Sequence, residues 1–98
     1  MSVNASTDER ALELRRDGRS FASIAKELGL AKASEANEAF NRALRTRPTR
    51  QQAILRDEEA LRLDKLTAKV QSRTDLAEGD VKRQLRAIAR LREVLAAQ

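Results

Sequence analysis

Phe21, Ile24, Ala25 and Leu28 recur at i, i+3, i+4 and i+7, and Gly29 follows them at once. That spacing puts four apolar side chains on one face of a helix. A glycine directly behind them ends it, because the left-handed conformation of a helix cap costs glycine little. A second stripe comes next: Ala36, Ala39, Phe40, Ala43 and Leu44. It too has the helical period. Ser20 stands ahead of the first stripe and Ser34 ahead of the second, each with a hydroxyl suited to an N-cap. These residues predict a helix over 21–28, a tight turn, and a helix from Glu35 to about Arg45.

The rest of the chain reads as helix as well. Ser6 and Glu9 form an S-x-x-E pattern that predicts a helix opening near Thr7, with Met1 to Asn4 loose. Ala11, Leu12 and Leu14 are its apolar side, and Gly18 ends it. Pro48 disfavours helix at Arg47, so Thr46–Thr49 is the predicted internal boundary. A fourth helix is expected from about Arg50 to Ser72. Ile54, Leu61 and Ala68 lie on one row of it, and Leu55, Leu63, Leu66 and Val70 on an adjacent row. Gly79 and Asp80 suggest a break and a cap before a fifth helix, Val81 to about Ala97. There Val81, Leu85, Ile88, Leu91 and Leu95 step by 4, 3, 3 and 4, a narrow seam for helix–helix packing. No strand pattern, repeat or low-complexity tract is present. The predicted fold is all-α: a three-helix head at 6–47 followed by a two-helix hairpin at 50–97 that self-associates.

Composition narrows the chemistry. The 98 residues include no Cys and no His, so disulfides, thiolate metal sites, the commonest zinc ligand and the commonest general base are all missing. There is no Gly-rich phosphate loop, and the consecutive Asp57, Glu58 and Glu59 fan around a helix without converging. No enzyme, cofactor, metal or small-molecule ligand is expected. No apolar run approaches the roughly 20 residues of a membrane span. The polar start, Met1 to Thr7, carries no signal-peptide pattern, so a cytoplasmic, nucleoid location is expected. Phe21 and Phe40 are the only aromatics. A helical chain with so few large core groups commonly gains stability by association. Lys and Arg number 20 against 15 Asp and Glu, a net charge of +5 that suits an anionic partner.

The segment from Arg19 to Arg45 predicts a helix-turn-helix. Ala25 is small where a second helix must cross closely, Gly29 allows the sharp turn, and Leu30 plugs the corner. The third helix then becomes a recognition helix for a major groove. Its predicted DNA-facing residues are Ser34, Asn37, Glu38, Asn41, Arg42 and Arg45. Arg42, Arg45, Arg47, Arg50 and Arg56 follow with no acid between Arg42 and Arg56, and the first four are expected to clamp phosphates. Lys32 in the turn and Arg15, Arg16, Arg19 and Lys26 on the first two helices are further candidates for phosphate contact. Glu35 and Glu38 run against this pattern. Glu35 suits the positive end of a helix dipole, and a glutamate at 38 suits a cytosine amino group. Lys82, Arg83, Arg86, Arg90 and Arg92 form a second basic run, expected to pair with Asp57, Glu58, Glu59 and Asp64 of the fourth helix.

The stretch R-x-F-x-x-I-A-K-E-L-G-L and the following A-K-A-S-E-A-N-E-A-F-N-R-A-L resemble the helix-turn-helix of phage-type and actinobacterial DNA-binding proteins, small terminase subunits among them. The later L-R-L-D-K-L and E-G-D-V-x-x-x-L-x-A-I-x-R-L segments are similar to the helical hairpin behind such domains. The resemblance covers about residues 10–95 and implies binding of double-stranded DNA together with self-association. Expected association residues are Ile54, Leu61, Leu66, Val81, Leu85, Ile88, Leu91 and Leu95, most simply in a homodimer that links two heads. Roles in transcription regulation, nucleoid organisation and, as a ring, genome packaging stay open. An adaptor that binds protein and not DNA is the alternative of another class.

Overall fold

The computed structural model describes residues 3–97, with side chains from Thr7 onward. Among them five helices follow one another: α1 (Val3–Arg16), α2 (Phe21–Leu28), α3 (Ala33–Arg45), α4 (Thr49–Ser72) and α5 (Glu78–Ala96). No strand occurs among the described residues. The all-α class expected from the sequence is therefore the observed one. The chain divides into two compact units, Met1–Gln52 and Ala53–Gln98, whose boundary falls inside α4. The helices break at 46–48, where Pro48 predicts it.

In the first unit α1, α2 and α3 pack pairwise, most extensively α1 on α3. Every apolar residue of the α3 stripe is buried, as are Phe21, Ile24 and Ala25 of α2 and Ala11, Leu12 and Leu14 of α1. The Phe21 and Phe40 rings meet edge to face at 5.7 Å, a geometry that aligns the positive ring edge with the negative ring face. Arg15 lies under this pair, its guanidinium 4.0 Å from the Phe21 centroid. Its Nη1 donates to the Arg19 carbonyl at 3.0 Å. Arg15 is thus part of the core wall, not the phosphate contact expected of it.

Both head turns are made the same way. Gly18 and Gly29 have φ of +96° and +72°. Behind Gly18, Arg19 N–H donates to the Leu14 carbonyl; behind Gly29, Leu30 N–H donates to that of Ala25. Each is the long-range bond of a Schellman cap. Nothing lies within 4 Å of where a Cβ on Gly29 would sit, so only backbone strain opposes a side chain there. Gly29→Ala is expected to destabilise the head by about 1–2 kcal/mol, with Gly29→Asn recovering part of it. Thermal melting followed by circular dichroism checks this, and an unshifted alanine variant contradicts it.

Several predicted boundaries are corrected. Met1 and Ser2 lie outside the described residues, but α1 begins at Val3, so Asn4 is helical backbone and Ser6 is no cap. Ser20 does cap α2, accepting from Ser23 N–H at 3.1 Å. Ser34 does not cap α3. Lys32, extended at φ −141°, holds the N-cap place without a side-chain bond, and its carbonyl already accepts from Glu35 N–H. Gly79 and Asp80 do not break α5 but lie in its first turn. The Ala77 carbonyl accepts from the N–H groups of Asp80 and Val81. The acids Glu78 and Asp80 then sit at the positive end of the helix, where they stabilise it.

In the second unit Leu55, Leu63 and Val70 of α4 and Ile88 and Leu95 of α5 are buried. Arg92 of α5 reaches back to α4, to Asp64 at 2.8 Å and to the Thr67 hydroxyl at 3.2 Å. Near it lies a groove of about 290 Å³ with Ala60, Leu63, Leu95 and Ala96 among its walls.

Candidate nucleic-acid interface

α3 decides which residues the head can offer a partner. At about 100° per residue, its buried positions sweep an arc of roughly 200°, and its outward polar side chains span about 80° of the remaining 160°. The buried arc is this wide because α3 is packed by both α1 and α2. It takes in Asn37 and Asn41, which are 7% and 2% exposed. The expectation that the Asn37–Asn41 side faces outward is therefore corrected. The two asparagines are one turn apart and bond each other: Asn41 Nδ2 donates to the Asn37 carbonyl at 2.9 Å and to its Oδ1 at 3.0 Å. The amides thus satisfy part of their own polar demand locally.

Beyond its first residue, Ala33, what α3 leaves outside is a single row: Ser34, Glu38, Arg42 and Arg45. Lys32 is exposed just before it and Arg50 just after. Arg47 is half-buried. Two of these cations are held by α1. Arg42 makes a bidentate pair with Asp8, Nε to Oδ2 and Nη2 to Oδ1, both at 3.0 Å. Its pKa is raised further above the ordinary arginine value, chiefly by the hydrogen bonds it donates to Asp8, with Glu38 adding to the effect. Arg47 pairs with Glu9. Arg19, also a predicted phosphate contact, bonds Glu27 at 3.0 Å and the Ser23 hydroxyl. Sequence reasoning missed all three ties, since partners 8 to 38 positions apart leave no mark in local spacing. The one available signal was the run of acids Asp8 and Glu9 on a helix otherwise rich in arginine.

Charge on the outward row is uneven. Asp8, Glu35 and Glu38 surround Arg42 in a depression of about 350 Å³ that Thr7, Leu30 and Ala39 also line. The N-terminal half of the row is thus acidic. The basic part is its end, Arg42 and Arg45, continuing to Arg50.

The predicted association residues also separate. Ile88 and Leu95 are buried within their own chain, and Val81, Leu85 and Leu91 are half-buried. Ile54 and Leu61 are 52% and 54% exposed, and Leu66 is exposed as well. An Ile88→Asp change would therefore disturb the fold of the second unit before it tested any contact between chains. Of the second basic run, Arg92 joins Asp64 as expected, whereas Lys82 and Arg83 pair within α5, with Glu78 and Asp80. Arg86 and Arg90 are exposed.

Comparison with protein-family models, with curated proteins and with solved structures finds no match.

Proposed function

We propose that this chain is a non-enzymatic protein that binds double-stranded DNA through its three-helix head and associates with itself through its second unit. The observation that carries the proposal is the α3 row. A helix locked into a core on two sides leaves one narrow polar face, with cations gathered at one end and continuing past it to Arg50. A face of that width fits a major groove, and the cations at its end fit the flanking backbone. The resemblance of residues 19–44 to phage and actinobacterial helix-turn-helix segments supports the same reading.

Burial of Asn37 and Asn41 shapes the kind of binding proposed. Asn is the side chain best matched to adenine, and both are withdrawn. The contacts that remain are mostly cationic, and cations on phosphates position a protein without reading sequence. An architectural, DNA-organising role is therefore favoured over site-specific regulation. If Lys32, Arg42, Arg45 and Arg50 each neutralise a phosphate, the logarithm of affinity falls against that of salt with a slope of about −3.6 per head. Fluorescence anisotropy of the whole chain with mixed-sequence duplexes across a salt series tests this. No binding to any duplex at low salt overturns it.

A second reading rests on the acidic depression. Asp8, Glu35 and Glu38 around Arg42 repel phosphate and suit a basic protein segment. Asp8→Asn separates the two. If the row meets DNA, releasing Arg42 raises duplex affinity more than Asp17→Asn does, a change that adds the same charge in the turn after α1. Equal effects of the two variants count against the row. The head itself loses about 1 kcal/mol with the Arg42 pair, a modest cost because the arginine side chain is about half exposed.

A further inference from the structure

We infer that a second copy of this chain covers the outward row of α4, Ile54, Leu61 and Ala68, in an antiparallel two-fold pairing that crosses at Leu61. The inference deepens the proposed self-association and rests on it. The three residues are seven apart, so they drift only about 20° per step around the helix and form a nearly straight row about 21 Å long. Leu55, Leu63 and Val70, which α4 buries within the chain, lie on the other side of the helix. A single exposed aliphatic residue needs no explanation. Two branched ones more than half exposed at heptad spacing, with exposed Ala68 next in line, form the seam that a partner helix fills. The α5 seam does not compete for that role, because Ile88 and Leu95 are spent inside the chain.

Charge selects the partner and its direction. Glu58 and Lys65 flank the row on one edge, on either side of Leu61; Asp57 and Asp64 flank it on the other. An antiparallel two-fold brings each edge against itself, reversed. Glu58 then meets the partner's Lys65, and Lys65 meets the partner's Glu58. On the other edge Asp64 is already held by Arg92 at 2.8 Å, so the partner's Asp57 approaches a neutralised carboxylate. A parallel pairing instead sets Glu58 against the partner's Asp57, acid upon acid, and spends Lys65 on the Asp64 that Arg92 already neutralises, which opposes it.

The chain has no cysteine, so introduced thiols report register directly. Leu61→Cys is expected to form an interchain disulfide under mild oxidation, since Leu61 faces itself at the crossing and disulfides need Cα atoms within about 7 Å. Ile54→Cys alone stays unlinked, but a mixture of Ile54→Cys and Ala68→Cys chains links. Sedimentation is expected to give a dimer for the wild type. Glu58→Lys weakens association at least about tenfold by placing like charges together, and Glu58→Lys with Lys65→Glu restores it, a rescue that a misfolded variant would not show. Self-linking of Ile54→Cys, a ring-sized mass, or a monomer at the highest concentration reached overturns the pairing. All readouts are taken without DNA. Loss of duplex binding by an intact dimer therefore overturns the DNA proposal alone, and a monomer that binds duplex overturns this pairing alone.

Discussion

Phe40→Ala is expected to bring the N-terminal unit to the edge of unfolding at physiological temperature. Phe40 is completely buried, sits on the α3 stripe, and meets Phe21 edge to face. Removing a buried phenylalanine ring costs about 3–5 kcal/mol, part in lost transfer free energy and part in the cavity left behind. The total stability of a small domain is about 5–15 kcal/mol, and a head with only two aromatics stands at the low end. Neighbouring small residues make collapse of the cavity difficult: Ala36, Ala39 and Ala43 on α3 have no atoms to move into it. Each 1 kcal/mol shifts the midpoint of a domain this small by about 4–8 °C, so the loss will exceed 10 °C. Circular dichroism melting of the full chain measures it. Phe40→Leu, which keeps most of the volume, should lose less than half as much. A Phe40→Ala melt superimposable on the wild type would show that the head core is not where stability lies.

Arg45→Glu together with Arg50→Glu carries the largest expected effect on binding. Both side chains are exposed, at the basic end of the α3 row and just beyond it. Each reversal removes a phosphate contact and adds a repulsion. Duplex affinity at moderate salt should fall at least about 30-fold, and the salt slope should flatten by about 2. Net charge alone would also weaken binding, so the control is Arg86→Glu with Arg90→Glu on α5, which changes total charge equally. If both pairs lose the same affinity, the α3 row has no special part. If the Arg45 and Arg50 pair loses none, the proposed face is wrong.

Why some of this was legible in the sequence and some was not follows from range. The α2 stripe, the Ser20 cap and the Gly29 turn are written within a few residues of one another, and they stand as predicted. The same holds for the α3 core positions and for the break at Pro48. Helix starts were less secure. Ser34 and Asp80 have good capping side chains, yet Lys32 and Ala77 take the N-cap places, because a serine or aspartate in a first turn is as compatible with the helix as one before it.

The candidate interface was half legible. Ser34, Glu38, Arg42 and Arg45 share a face on any helical wheel, but nothing local says how wide the buried face must be. That width depends on how many helices pack on α3, and with two it swallowed Asn37 and Asn41. In the same way Arg15, Arg42 and Arg47 look alike as free cations in a list of residues. Their partners Phe21, Asp8 and Glu9 become partners only when α1 lies against its neighbours.

Period and punctuation by themselves determined that this protein is helical, where its head turns, and which small side chains line the α3 core. Tertiary structure alone decided which polar residues remain outside and which cations are already engaged. The physical reason is that helix formation is a contest among neighbours a turn apart, whereas exposure and ion pairing are set by whichever helix happens to be packed alongside.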